Sequence, residues 1–326
     1  MMYPLKFEVI LKSILWGGSE ICEFKNLSTK QDGIGESWEI SQVKDNVSVI
    51  ANGEYKGKSL TDLMHDKGAE LLGKHVVDRF GDKFPLLIKF IDARDNLSIQ
   101  VHPDDKLAKE RHNSFGKTEM WYVISAQEGA GLYSGFSKQI TPEEYVERVE
   151  NNTIMDVLQF HPVKSGDVFF LPAGRIHAIG KGIFIAEIQQ TSDITYRIYD
   201  YNRKDANGKG RELHTALAKD AIDYKMYSDL KTEYAPKCNE AVLLATCPYF
   251  TTNLLEINNK KTVKRDIADK DSFVIYICMG GTAVMTDNNG VKTELCQGET
   301  VLVPASIKFV ELSSDTSVKL LECYIP

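Results

Sequence analysis

The sequence predicts a mainly β fold made of two jelly-roll domains, the first interrupted by helical insertions. Three observations carry that expectation. Short segments rich in β-branched and aromatic residues recur between Gly, Pro and Asp, at a spacing that suits a sandwich or jelly roll. Helix-like stretches interrupt only the first group of them. A segment of the first half also returns in the second. Gly166-Asp167-Val168-Phe169-Phe170-Leu171-Pro172-Ala173 aligns with Gly298-Glu299-Thr300-Val301-Leu302-Val303-Pro304-Ala305. Upstream lie the matching pair WYVISAQEGAGLYS (121–134) and VIYICMGGTAVMTD (274–287), each an apolar strand turning at Gly into another. Two matches in the same order point to a duplicated β domain.

The first group of strands reads FPLLIKFIDA (84–93), LSIQVHP (97–103), EMWYVISA (119–126), DVFFLPA (167–173) and IFIAEIQQ (183–190). SLTDLMHDKGAELLG (59–73) reads as a helix capped by Ser59 and stopped at Gly73. TPEEYVERVENNTIMDVLQ (141–159) reads as a second, with Thr141 as cap, Pro142 in the first turn and Glu144 completing a capping box. RELHTALAKDAIDYKM (211–226) is the third. The polar stretch 227–240 precedes YFTTNLLEI, FVIYICMGGTAVMT, ETVLVPA, IKFVEL and SVKLLECYI. The expected domains are therefore 1–235 and 236–326.

Composition narrows the function. The chain has 326 residues, 43% of them hydrophobic and 26% charged, as in ordinary globular proteins. A net charge of −7 without a basic block argues against nucleic acid as partner. Lys6, Glu8 and Lys12 break any secretory leader, and no apolar run approaches a membrane span, so no membrane partner is expected. Six cysteines show no C-x-x-C pairing and read as reduced core residues of a cytoplasmic protein.

The two copies differ where chemistry would sit. After Pro172 come Ala-Gly-Arg-Ile-His177, and after Pro304 come Ala-Ser-Ile-Lys-Phe309, so the first copy reads as the functional one. Gly-x5-Pro-x-Gly-x2-His over 166–177 resembles the second sequence motif of the cupin superfamily, whose His is a metal ligand. Gly permits the turn before the strand, and Pro with Gly fixes the corner that aims the imidazole. Gln100 and His102 share one strand face, and Glu119 opens the strand EMWYVI. On a cupin frame, Gln100, His102, Glu119 and His177 make a ligand set that suits one Zn²⁺ with an open position. Fe²⁺ fits the same residues. His65, His75, His112, His161 and His214 lie in segments without ligand spacing and read as incidental.

The ordered motifs Gln100-Val101-His102-Pro103, Lys117-Thr118-Glu119, His177 and Asp193-Ile-Thr-Tyr-Arg197 resemble the type I phosphomannose isomerases, in their short bacterial form. LWGG (15–18) and GESWEIS (35–41) resemble that family's opening segments. The resemblance covers residues 15 to about 203, with the second jelly roll matching the family's non-catalytic domain. It implies a zinc-dependent aldose–ketose isomerisation of mannose 6-phosphate and fructose 6-phosphate through a cis-enediol. Zinc would polarise the carbonyl and hydroxyl oxygens, and a base would carry the proton between C2 and C1. Glu187, Asp193, Lys117 and a zinc-bound water all stand as candidates for that base. Arg197 matches the family's active-site arginine. For substrate binding, Ser98 matches a phosphate-binding serine, Arg203 a position that carries lysine in longer members, with Lys204 beside it, and Glu36 and Trp38 line the pocket. An Fe²⁺ cupin dioxygenase and a non-enzymatic sugar sensor are the competing readings. The phosphate-binding cations and the Lys-x-Glu and Asp-x3-Arg pairs argue against the first, and the second jelly roll against the other.

Overall fold

Alternation along the strands produces two barrels packed side by side. The computed structural model describes residues 1–28, 31–204, 207–258 and 260–326. In the first barrel a six-stranded sheet runs in the order Ile10–Gly18, Ile34–Ile40, Leu86–Ala93, Ile183–Gln190, Glu119–Ala126, Val168–Leu171. A five-stranded sheet faces it, in the order Tyr196–Tyr199, Ile99–Val101, His177–Ala178, Gly131–Phe136, Leu158–Pro162. Trp16, Ile91, Val123, Phe169, Leu132 and Ile179 fill the space between them.

The second barrel repeats the plan. One sheet runs Leu5–Lys6, Thr300–Val303, Val274–Gly280, Val318–Tyr324, Phe250–Ile257, Ala241–Cys247. The other runs Thr262–Asp266, Phe309–Ser313, Thr282–Asp287, Lys292–Cys296. Its first strand comes from the very start of the chain, with Leu5 opposite Leu302. The two six-stranded sheets pack back to back through Phe90, Tyr122, Phe184 and Phe250, Phe273, Leu321. Each such side chain, once buried, contributes roughly 2 kcal/mol.

The helices are shorter than their sequence patterns. Ser59 caps the first by accepting from the Asp62 N–H, as expected, but the segment splits into Leu60–Lys67, Ala69–Leu72 and Lys74–Phe80. Gly68 (φ 45°) and Gly73 (φ 94°) make the breaks. A Cβ on Gly73 would lie 2.0 Å from the Asp271 carbonyl of the second barrel, so that approach requires glycine. The second helix ends at Glu150, before Asn152 at φ 56°, and the chain continues as a 3₁₀ turn, Ile154–Val157, and the strand Leu158–Pro162. Thr141 caps it, whereas the Glu144 carboxylate pairs with Lys138 and Arg148 instead of closing a box. The third helix is only Thr215–Ala221. His214 is drawn out of it because its N–H donates to the Arg197 carbonyl at 2.7 Å and its Nδ1 accepts the Arg197 N–H at 3.1 Å.

Phe309 does not take the place of His177. Val310 and Leu312 face the second core, and the Phe309 ring lies under Lys264 Nζ at 3.8 Å, on the other face of its strand. All six cysteines are free. Cys22, Cys278 and Cys323 are buried, Cys238 is exposed, and Cys247 and Cys296 lie between. Among the described residues no helix is long and apolar enough to cross a membrane.

Candidate active site

Register brings distant residues to one point. On the five-stranded sheet, His177 lies opposite both Ser134 and Gln100, and Gln100 lies opposite Arg197. These four form a row across neighbouring strands. On the facing sheet Trp121, Glu187, Lys89 and Trp38 form another row, with Glu119 two residues from Trp121 and so on its face. The corner after Pro172 turns on Gly174 (φ 87°), whose N–H donates to the His102 carbonyl at 2.9 Å. One hydrogen bond thus ties the His177 corner to the segment that carries His102.

His102, Glu119 and His177 converge at 1%, 0% and 1% exposure. His102 Nδ1 lies 2.9 Å from the Ile194 carbonyl, and His177 Nδ1 lies 2.8 Å from the Arg175 carbonyl. A carbonyl only accepts, so each Nδ1 carries the proton and each Nε2 keeps a lone pair for the centre. Those Nε2 atoms lie 3.5 Å and 3.3 Å from the Glu119 carboxylate, and the three ligand atoms fall within 4.8 Å of one another. Burial, then the Lys117 charge, pushes His177 down to about 3 and His102 well below the ordinary histidine range. Both rings are therefore neutral, the form that binds metals. Glu119 Oε1 is buried without a hydrogen-bond partner, an orphan that a cation would satisfy. Burial raises the Glu119 carboxyl to about 7, and Lys117, which contacts it, only partly offsets this. The donor set fits a metal ion.

Gln100 is half-buried, its amide nitrogen 3.4 Å from His177 Nε2. Turning that amide over presents Oε1 to the same point. Lys117 Nζ also reaches His102 Nε2 at 3.1 Å and Glu187 at 4.0 Å.

Beside the cluster opens a cavity of about 240 Å³, lined among others by Glu36, Trp38, Ser98, Gln100, Lys117, Glu187, Asp193 and Arg197. Trp121 Nε1 donates to Glu187 Oε1 at 2.9 Å, and Lys89 approaches Oε2 at 3.4 Å. Burial alone would raise the Glu187 carboxyl; the Lys117 and Lys89 charges outweigh it and leave it below the ordinary range. Glu36 accepts from Trp38 Nε1 at 2.6 Å and sits 3.9 Å from Lys89. Asp193 is exposed at the rim. Arg197 is half-buried, with Nη1 on the Glu212 carbonyl and Nε unpartnered.

Arg203 stands apart. It pairs with Asp200 and Asp95 and, with Lys204, borders a neighbouring cavity, whereas Arg211 lines the site itself. Sequence reasoning missed Lys89, Trp121 and Arg211. A single lysine inside the apolar run of LLIKFIDA was the available signal for Lys89. Arg211 was hidden inside a helical pattern. Of the histidines set aside, His161 lies in a strand, half-buried beside Phe169, and His112 bonds the Tyr196 hydroxyl at 2.7 Å.

Fold and site together define a cupin-type enzyme: two jelly rolls, one carrying a His–Glu–His cluster able to hold a metal ion beside a polar cavity flanked by cations. A profile of the phosphomannose isomerase type I catalytic domain matches residues 4–123. Mannose-6-phosphate isomerase ManA of Bacillus subtilis is 36% identical over 266 residues, which are 80% of this chain and 82% of that one. The mannose-6-phosphate isomerase of Streptococcus mutans is 33% identical over 320 residues, 98% of each. The crystal structure of a Bacillus subtilis mannose 6-phosphate isomerase superimposes with a TM-score of 0.87, at 30% identity over 99% of both chains. The chain belongs to the type I phosphomannose isomerase family.

Proposed function

We propose that this chain is a zinc-dependent aldose–ketose isomerase that interconverts mannose 6-phosphate and fructose 6-phosphate through a cis-enediol. The observation that carries the reading is the buried His102–Glu119–His177 cluster opening onto a cavity lined by both the Glu187 carboxylate and the guanidinium groups of Arg197 and Arg211. Two neutral imidazoles and a carboxylate suit zinc, with Gln100 as the fourth protein ligand. Bound there, zinc supplies Lewis-acid polarisation of the sugar's carbonyl and hydroxyl oxygens.

The chain's own residues do the rest. Glu187 carries the proton between C2 and C1. It is buried and held as a carboxylate by Lys89 and Lys117, and its Oε2 has no hydrogen bond to give up. Asp193, at the rim, is too exposed to exclude water from that step. Lys117 and Arg197 donate to oxygens on which charge develops, and Glu36 and Ser98 orient the sugar. The boundary falls near residue 235, with the catalytic unit before it and the non-catalytic one after it, except that the strand Leu5–Lys6 joins the second barrel; the residues lining the cavity all precede the boundary. Six unpaired thiols suit the reducing cytoplasm.

A coupled assay of mannose 6-phosphate turnover tests the proposal directly. Purified protein should contain about one zinc per chain, lose turnover to a chelator and regain it with zinc. Zinc-loaded protein with no turnover would overturn the reading.

A further inference from the structure

Two arginines, Arg197 and Arg211, line one end of the cavity, a third, Arg203, stands behind them, and their partners are unequal. Asp200, 5% exposed, accepts from Arg203 Nε at 3.2 Å and from Arg203 Nη2. It also accepts from Arg211 Nε at 2.7 Å and Nη2 at 2.5 Å. Arg203 places its remaining nitrogen, Nη1, 3.5 Å from Asp95. All three Arg203 nitrogens are therefore committed to carboxylates. Among the described residues Arg211 Nη1 has no hydrogen-bond partner, and Arg197 has no carboxylate partner and a buried, unpartnered Nε. Burial, then the neighbouring Arg211 charge, lowers the Arg197 pKa. Both line the cavity and Arg203 does not.

We infer that Arg211, paired with Arg197, is the group that receives the substrate's phosphate, and that Asp200 and Arg203 are positioning residues that hold Arg211 in place. This rests on the isomerase reading. Arg197 and His177 are separated by Gln100 in one row, two strand spacings or roughly 10 Å. A six-carbon chain that presents C1 and C2 to the metal cluster reaches with its terminal phosphate to the arginine end. A guanidinium anchored on Asp200 through Nε and one Nη still offers its outer edge to a phosphate oxygen. Arg203 makes a like contact to Asp200 but turns its remaining nitrogen, Nη1, to Asp95 and away from the cavity lining. Arg211 reaches this position because residues 211–214 run beside Arg197 instead of joining the helix that starts at Thr215.

The test compares Arg211→Met, Arg211→Lys, Arg203→Met and Asp200→Asn in the zinc-loaded full chain, with inorganic phosphate as a competing probe. Arg211→Met should raise KM for mannose 6-phosphate roughly ten- to a hundredfold, and the inhibition constant of phosphate in step, with kcat within a few-fold. Arg211→Lys should recover part of the loss. Arg203→Met should give a smaller rise in both constants and a lower melting temperature, and Asp200→Asn should fall between. Turnover with both constants unchanged in Arg211→Met overturns the inference, as does a larger effect from Arg203→Met. If the wild type does not turn over mannose 6-phosphate, the isomerase reading fails by itself. A ³¹P titration of phosphate into wild type and Arg211→Met then still decides whether Arg211 binds the anion.

Discussion

The two barrels hold a carboxylate at the same place and use it in opposite ways. In the first, Glu187 lies between Trp121 and Lys89; in the second, Glu322 lies between Tyr276 and Asn253 in the matching row. Both are buried, and in both an aromatic neighbour donates, Trp121 Nε1 at 2.9 Å and Tyr276 Oη at 2.8 Å. The difference is saturation. Glu322 also takes both nitrogens of an Arg265 fork, each at 2.8 Å, and Asn253 at 3.0 Å. Glu187 Oε2 has no hydrogen bond, only Lys89 at 3.4 Å. Where Glu119 stands in the first barrel, the second has Val274, opposite Val303 as Glu119 is opposite Leu171. A buried acid whose every lone pair is answered is mortar; one left short is available for chemistry.

The comparison breaks most sharply at the metal. His177→Ala should empty the first barrel of zinc and abolish turnover, read by metal analysis and assay; retained zinc with full activity would remove the site from this barrel. Next, Glu187→Gln should lower kcat about 10²–10⁴-fold with zinc retained, while Glu322→Gln leaves kcat near wild type. Equal kinetic losses in the two variants would mean that saturation does not separate their roles. Arg265→Met strands the Glu322 charge and should cost on the order of 3 kcal/mol in denaturant unfolding, with the zinc content intact. The smallest effect is in pH. Hydrogen bonds and charge from Arg265 outweigh burial and hold the Glu322 carboxyl below the ordinary glutamate range. Its contribution to stability is thus fully present above about pH 5 and is lost as pH falls through that range. Glu322→Gln should therefore flatten the acid limb of a stability-against-pH curve, measured without metal.

What the sequence made legible was local. The His177 corner is compressed into twelve residues of fixed turn chemistry, and Gln100 and His102 share a strand face by period alone. What it hid depended on register. Phe309 aligns with His177 letter by letter, yet a one-residue difference in which side faces inward turns it to the outer surface. The Glu187–Glu322 equivalence appears only when four strands are paired in space. Arg211 was lost for a third reason: helical propensity continues through 211–214, and pairing with Arg197 overrides it.

The opening strand has a consequence for how this chain is made. Leu5 and Lys6 complete a sheet whose other members emerge last, with Leu302 and Val301 as their partners. On the ribosome the first barrel can close while its own leading segment waits, and Leu5, fully buried in the finished molecule, stays without a lid until residue 302 has emerged. The native state therefore clasps Leu5–Lys6 to Thr300–Val303 across almost three hundred intervening residues. Cutting the chain between the barrels would leave each fragment with one edge that only the other can cover.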